Sequence, residues 1–200
     1  IRKQSIPQHY ELETTPEEMA DPCGEDKNSP VRGLVHRYPD RVLFLVNEMC
    51  AMYCRYCTRS RMVGDGHRTL SMQTYNTAFE YIRAHKEVRD VLISGGDPLT
   101  LSDRVLEHII KTLKSIPHVE FVRIGTRIPV TLPQRVTFEL VNMLKKYSPI
   151  WMSIHFNHPK EVTKRVKFAC DLLADSGIPM GSQTVLLKGV NDKPAIMKKL

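Results

Sequence analysis

Residues 42–57 read VLFLVNEMCAMYCRYC, an apolar run that ends abruptly in three cysteines. An uninterrupted run of this kind is typical of a strand in a parallel sheet, covered on both faces. Cys50, Cys54 and Cys57 fall within eight positions, although the whole chain has only five cysteines. The stretch therefore predicts a buried strand whose carboxyl end carries a reactive loop.

Downstream of this stretch, strand and helix patterns alternate along the chain. Strands are predicted over 42–49, 89–96, 121–130, 149–156 and 179–187, and helices over 74–88, 103–116, 136–147 and 160–177, with another helix beginning in DKPAIMKKL (192–200). This alternation indicates βαβ units and a parallel sheet with outer helices. Two α/β architectures are compatible with it, an open doubly wound sheet and a full or partial β/α barrel.

Residues suited to chemistry recur where the predicted strands end. The cysteines follow the first of these strands, SGGDP (94–98) the second, GTR (125–127) the third and HFNHP (155–159) the fourth, while Gln183 lies within the fifth. In both architectures ligands bind at the carboxyl ends of the strands. The pattern therefore predicts one site at that edge of the sheet.

The bulk composition is that of a globular protein, with 42% hydrophobic and 26% charged residues among 200. Residues 1–41 are rich in proline and charge and are expected to form an N-terminal extension to a core over 42–200. No membrane-length apolar run or signal segment is present, so we expect a cytoplasmic protein. The net charge is +7, but the basic residues are scattered and their local groups lie in predicted helices, which disfavours nucleic-acid binding. The beginning at Ile1 and a helix cut at Leu200 suggest a piece of a longer protein.

The spacing C-x-x-x-C-x-x-C distinguishes several cysteine chemistries. Zinc sites commonly use four ligands in C-x-x-C pairs, and a disulfide framework needs an even number. Three thiolates suit an iron–sulfur cluster with one iron left open, and the flanking Arg55, Arg59 and Arg61 favour the thiolate form. A zinc module completed by Cys23 or a histidine, and an iron–sulfur electron carrier, are the non-enzymatic alternatives. The glycine pair of SGGDP indicates either a turn or a close approach of ligand to backbone.

Longer motifs resemble the lysine 2,3-aminomutase family of the radical S-adenosylmethionine (SAM) superfamily. The resemblance runs from about Asp21 onward and rests on DPCGEDKNSPVRGLVHRYPDRVLFLV, CAMYCRYCTRSR, VRDVLISGGDPL, IPHVEFVRIGTR, HFNHPKE and GSQTVLLKGVND. It implies a partial, TIM-like β/α barrel with parallel strands and outer helices. It also implies an isomerase that uses a 4Fe–4S cluster, SAM and pyridoxal 5′-phosphate.

The resemblance implies roles for individual residues. The cluster would be held by Cys50, Cys54 and Cys57. SAM would be contacted by Tyr56, Gly95, Gly96, Asp97, His155 and Gln183. Pyridoxal phosphate would be held by Arg37, Tyr38 and Arg41 of the HRYPDR segment (36–41). The α-carboxylate of the substrate would be clamped by Arg59.

The implied reaction is migration of an amino group from C2 to C3 of a free amino acid, L-lysine giving L-β-lysine. Thr58 favours lysine, whereas relatives act on glutamate, on arginine or on lysine for translation-factor modification. The family's glycine-rich lysine segment is absent, so the lysine that anchors pyridoxal phosphate is expected beyond residue 200. A low-potential electron donor and a homo-oligomer are further expectations. A radical enzyme that modifies tRNA or a peptide is the alternative enzyme class.

Overall fold

The computed structural model describes residues 1–13, 15–64 and 70–200. Its strands are β1 Leu34–Tyr38, β2 Arg41–Leu45, β3 Asp90–Ser94, β4 Phe121–Thr126, β5 Trp151–His155 and β6 Met180–Gln183. Its α-helices are α1 Met72–Ala84, α2 Asp103–Lys114, α3 Ile128–Thr131, α4 Phe138–Lys145, α5 Lys164–Asp175 and α6 Pro194–Met197. No helix in these ranges has the length and hydropathy needed to cross a membrane.

The strands form one sheet in the order β1-β2-β3-β4-β5-β6. From β2 to β6 every neighbouring pair is parallel, and only β1 and β2 are antiparallel. Among the described residues β1 and β6 are the two edges, so the sheet is open. The predicted α/β class, with parallel strands, outer helices and a partial barrel, is confirmed.

Burial alternates along the strands, which gives the sheet two unlike faces. Val91, Ile93, Val122 and Ile124 are at most 1% exposed and pack with α1, α2, α4 and α5 in one hydrophobic core. Full burial of such a side chain stabilises the fold by about 1.5–3 kcal/mol. The alternate residues, such as Leu92, are only half-buried and face a cavity. The expectation of strands covered on both faces is therefore wrong, because a partial barrel leaves its inner face accessible.

The helices follow the local signals of the sequence. In α2, Leu106, Ile109, Ile110 and Leu113 are spaced so that they share one face, and all are fully buried. Hydroxyl side chains accept a hydrogen bond from the first helical turn of α1, α4 and α5; these N-caps are Ser71, Thr137 and Thr163. Each cap contributes about 1 kcal/mol.

Several parts of the sheet differ from expectation. The strands predicted over 42–49 and 179–187 end four residues early, at Leu45 and Gln183. Residues 34–38, within the predicted N-terminal extension, form the edge strand β1 and pair with β2 through Val35 and Leu43. The strand expected over 121–130 ends at Thr126, because the Asp97 carboxylate binds the amide hydrogens of Arg127 and Ile128 and starts a turn there.

Candidate functional site

A cavity of about 390 Å³ lies at the carboxyl ends of the parallel strands. The loops after β2, β3 and β4 and the ends of β5 and β6 all reach it, as the strand-end pattern predicted. The predicted residues that line it are Cys50, Cys54, Tyr56, Cys57, Arg59, Gly95, Gly96, Asp97, His155 and Gln183. One short segment of the N-terminal extension also contributes, through Cys23.

The three clustered cysteines are reduced and half-buried on the cavity wall. Burial, with the nearby Asp97 and the other two cysteines, raises the pKa of the Cys50 thiol to about 12. Burial also raises the pKa of Cys57. In the described part of the chain no three His, Cys, Asp or Glu side chains converge as ligands of one ion.

The glycine pair after β3 lets the cysteine loop lie directly against the sheet. A Cβ on Gly95 would overlap the Asn47 carbonyl oxygen, and one on Gly96 would overlap the backbone of Met49. The Gly96 amide donates to the Asn47 carbonyl at 2.7 Å, and the Asp97 amide donates to the Met49 carbonyl at 2.7 Å. Close backbone approach was expected, but the structure shows the partner to be this chain's own loop.

Asp97 ties the end of β3 to the turn after β4. Its carboxylate accepts hydrogen bonds from the Thr126 hydroxyl at 2.6 Å and from the amides of Leu99, Arg127 and Ile128 at 2.6–3.1 Å. Burial raises the pKa of this carboxyl, while the same donors oppose the shift. Because four donors already occupy the carboxylate, its side chain primarily positions neighbouring backbone.

Tyr56 and His155 form a polar part of the cavity wall. Their rings meet edge to face, with centroids 5.9 Å apart. Burial, followed by the charge of Arg127, lowers the pKa of His155 to about 4, so the ring is neutral at physiological pH. Its Nε2 is buried and has no hydrogen-bond partner among the described residues. Gln183 stands beside His155 in the register of β5 and β6.

Arg59 holds a carboxylate in the structure. Its Nε and Nη2 donate to the Glu25 carboxylate at 2.7–3.0 Å, and the Glu25 side chain is 6% exposed. The other two arginines of the loop are bound by acidic residues in the same way. Arg55 pairs with Glu11, and Arg61 pairs with Asp21 and Asp26. Four acidic residues thus form an acidic brace on the cysteine loop: Glu11, Asp21, Glu25 and Asp26.

A buried polar network joins the cysteine loop to the turns after β4 and β5. Arg127, Asn157, Glu161 and Gln4 are each at most 7% exposed. The Arg127 guanidinium donates to Cys54 Sγ and to Glu161, and the Asn157 amide group donates to Gln4 and to the Tyr56 hydroxyl. The motifs GTR and HFNHPKE contain three of these residues, but the sequence pattern indicates no individual role for them. Nothing in the sequence distinguished Gln4.

The HRYPDR residues are not part of this cavity. They lie in the hairpin between β1 and β2, at the opposite end of β2 from the cysteines. Arg41 is paired with Asp40 and lies against the Tyr38 ring, and the Arg37 guanidinium donates to the Cys23 carbonyl at 2.6 Å. Arg41 shares a face with Leu43, which lines the cavity, but β2 places it about 13 Å below the strand end.

A family model of the radical SAM superfamily matches residues 45–200. The chain belongs to the radical SAM superfamily. The match covers β3 to β6, the cysteine loop and all the strand ends that line the cavity, so the superfamily predicted from the motifs is confirmed. A radical SAM domain carries a 4Fe–4S cluster and binds SAM.

Curated relatives match this radical SAM chain along its whole length. It is 56% identical to the L-lysine 2,3-aminomutases of Fusobacterium nucleatum subsp. nucleatum and of Clostridium subterminale, over 47% and 48% of their lengths. It is 49% identical to the glutamate 2,3-aminomutase of Clostridioides difficile, over 47% of that protein. The chain therefore spans about half the length of these relatives.

The cavity residues fit the two radical SAM cofactors. Burial raises the pKa of the Cys50 thiol to about 12, so the flanking arginines do not ionise it as expected, whereas a bound metal would deprotonate its thiol ligands. The unpartnered Nε2 of His155 fits a polar ligand in the cavity, because a buried ring nitrogen without a partner is costly. Cys50, Cys54 and Cys57 would hold the cluster beside that space.

Proposed function

We propose that this chain is the cluster-binding part of a pyridoxal-phosphate-dependent L-lysine 2,3-aminomutase, an isomerase that converts L-lysine to L-β-lysine. The observation that carries the proposal is the 56% identity to L-lysine 2,3-aminomutases over all 200 residues. The cavity supports it, since the cysteines and the SAM-contacting residues inferred from the motifs lie around one space.

Each part of the site has a distinct task in this proposal. When bound, the cluster and SAM would supply a 5′-deoxyadenosyl radical for abstraction of hydrogen from C3, and pyridoxal phosphate would hold the amino group that migrates. Tyr56, His155 and Gln183 would line the SAM position. Neutral His155 can accept or donate a hydrogen bond without adding charge. Asp97 would act through the backbone that it holds.

Arg59 is the proposed clamp for the substrate's α-carboxylate. Its guanidinium already binds a carboxylate through two nitrogens, which is the geometry that such recognition needs. The carboxylate that it holds belongs to Glu25, so a substrate carboxylate would compete with Glu25 for the same donors. Substrate binding therefore involves rearrangement of this ion pair.

The pyridoxal phosphate site is proposed to use Arg37, Tyr38 and Arg41. Arg41 supports this assignment because it shares a sheet face with cavity-lining Leu43, and paired guanidinium groups suit a phosphate dianion. The anchoring lysine is expected beyond residue 200.

We keep the division into an extension over 1–41 and a radical SAM core over 42–200, although β1 joins the extension to the same sheet. A cytoplasmic location, a low-potential electron donor and a homo-oligomer complete the proposal.

The test is turnover by the full-length protein, reconstituted without oxygen and supplied with SAM, pyridoxal phosphate and a strong reductant. L-Lysine and L-glutamate are offered in parallel, and products are separated by chromatography. L-β-Lysine from L-lysine is the expected result. β-Glutamate alone would establish the second candidate, which the glutamate 2,3-aminomutase relative favours. Cleavage of SAM without turnover of any free amino acid would refute the proposal in favour of a tRNA- or peptide-modifying enzyme.

A second measurement tests where pyridoxal phosphate is anchored. Borohydride reduction fixes the cofactor covalently to its lysine, and mass spectrometry then locates the adduct. We expect no specific adduct on residues 1–200. An adduct on Lys188 or Lys193 would show that the anchor lies inside this stretch.

A further inference from the structure

Arg127 places a buried positive charge on one of the three cysteines. It is the residue directly after β4 and is 7% exposed. Its Nη1 lies 2.8 Å from Cys54 Sγ and donates to it. Among the described residues this is the one side-chain hydrogen bond from an arginine to a cysteine sulfur of the loop. The GTR motif therefore delivers a cation to a proposed cluster ligand.

The guanidinium is held in this position from several sides. The Arg127 amide donates to Asp97 Oδ2 at 2.6 Å, and its Nη2 donates to Glu161 Oε1 at 2.9 Å. Gln4 Oε1 accepts from the same Nη2. Glu161 is itself fixed, because its other oxygen accepts from the Asn157 amide at 2.7 Å. The side chain therefore has little freedom to leave Cys54.

The Arg127 side chain lies beside Cys54 although this position leaves one N–H donor of its guanidinium without a partner among the described residues. Arg127 Nε is buried and has no hydrogen-bond partner among the described residues. An arginine placed only to neutralise Glu161 would gain by presenting a second nitrogen to that carboxylate. The observed arrangement instead divides the guanidinium between a carboxylate and a thiol, and this division favours a role toward the sulfur.

A hydrogen bond and a positive charge at a ligand sulfur stabilise the more electron-rich state of an iron–sulfur cluster. The effect is strong in a buried site, because the local dielectric is low. Reduction transfers one electron from an external low-potential donor to the cluster, changes its charge from +2 to +1 and breaks no bond. A cation at the Cys54 sulfur favours that reduced state.

We propose that Arg127 is a positioning residue that fixes Cys54 and raises the reduction potential of the cluster. The inference rests on the proposed ligation of the cluster by the three cysteines of the loop. Glu161 has the opposite effect, since its negative charge offsets part of the Arg127 charge near the sulfur. Asp97 contributes indirectly, by holding the backbone from which Arg127 projects.

The experiment compares cluster reduction potentials in the full-length protein. Wild type, Arg127→Met, Arg127→Lys, Glu161→Gln and Arg135→Met are reconstituted without oxygen, and iron and sulfide are measured in each. A redox titration is then followed by electron paramagnetic resonance of the reduced cluster. Arg135 is the matched control, because it pairs with Asp103 and, within the part of the chain that the structure describes, has no hydrogen bond to a cysteine.

The reduction potential of the cluster is expected to shift in opposite directions in the Arg127 and Glu161 variants. Arg127→Met shifts the one-electron reduction equilibrium at least tenfold toward the oxidised cluster, which corresponds to about 59 mV. Arg127→Lys shifts it less in the same direction, Glu161→Gln shifts it the other way, and Arg135→Met leaves it unchanged. A purely structural role would alter thermal stability in all three network variants without these opposed shifts.

The inference is overturned if Arg127→Met holds a full complement of iron and keeps the wild-type potential. Loss of Arg127 leaves the Glu161 carboxylate buried without its cation, so Arg127→Met can fail to fold. In that case the opposed shifts of Arg127→Lys and Glu161→Gln decide, and unchanged potentials in both overturn the inference. A wild-type protein that takes up no cluster would remove the proposed function and this inference together.

Discussion

Gly96→Ala should displace the cysteine loop and lower the stability of the fold through one steric clash. The added Cβ would overlap the backbone of Met49, the residue before Cys50, and no flexible side chain is there to move aside. Gly96 has no left-handed backbone conformation, so the effect arises from packing alone. The loop must therefore move away from the sheet and carry Cys50 with it.

The size of the effect follows from two contributions. Forcing a methyl group into filled space costs about 1–3 kcal/mol. The hydrogen bond from the Gly96 amide to the Asn47 carbonyl is strained or lost, at about 0.5–1.5 kcal/mol. Together they give roughly 1.5–4.5 kcal/mol, which for a chain of this size lowers Tm by roughly 3–18 °C. The buried core should still form, since no core residue changes.

Gly125→Ala is the matched control. It also lies at the cavity, but its added Cβ would meet Leu92, Ser94 and Ile93 atoms at 3.6–3.9 Å, an ordinary contact distance. Circular dichroism gives Tm for the metal-free proteins, and iron analysis after anaerobic reconstitution gives cluster content. Gly96→Ala should lose both stability and iron, and Gly125→Ala should keep both. If Gly96→Ala retained wild-type Tm and full iron content, the packing argument would be refuted.

Three further predictions concern the cavity. Replacing any one cysteine of the loop by alanine should abolish cluster assembly and SAM cleavage, whereas Cys23→Ala and Cys170→Ala should leave the iron content unchanged. Cys23 is the sharper control because it lines the cavity. Loss of the cluster in Cys23→Ala would contradict the assignment of three ligands. Arg59→Ala should bind SAM normally but lose amino-acid affinity by about 2–5 kcal/mol, as for a truncated buried charge pair, and unchanged affinity would remove it from the substrate site. His155 is protonated in the unfolded chain below about pH 6.5 but stays neutral in the folded protein down to about pH 4. Its contribution to stability should therefore fall as pH drops through that window. Denaturant unfolding of the metal-free wild type and of His155→Gln at several pH values gives the free energy of unfolding of each protein. The same pH dependence in both would exclude this contribution of His155.

The fold could be predicted to a large extent because its signals are local. Apolar runs and amphipathic periods identified β2 to β6 and the long helices, and parallel topology then brought their carboxyl ends together. The sequence did not predict β1, because VRGLVHRYPDR mixes apolar, charged and proline residues. β1 forms by pairing with β2 in a short antiparallel hairpin.

The site was predictable in its residue types but not in its internal contacts. The glycine pair indicated close approach, yet only the folded chain shows that Asn47 and Met49 are what approaches. Gln4 and Glu161 are hydrogen-bonded across 157 positions, and no local pattern encodes such a contact. Glu25 was part of a resembling motif, but its pairing with Arg59 depends on how the N-terminal segment folds back.

The acidic brace around the cysteine loop makes ionic strength a separate variable for this protein. The Asp26 partner of Arg61 is 69% exposed, whereas the Glu25 partner of Arg59 is 6% exposed. Dissolved salt shortens the range of electrostatic attraction from about 10 Å at 0.1 M to about 3 Å at 1 M, and buried pairs are screened much less. Concentrated salt should therefore loosen the outer attachments of the loop while Glu25 still holds Arg59. Purification in 1 M salt should therefore promote loss of iron from the cysteine loop, even under strictly anaerobic conditions.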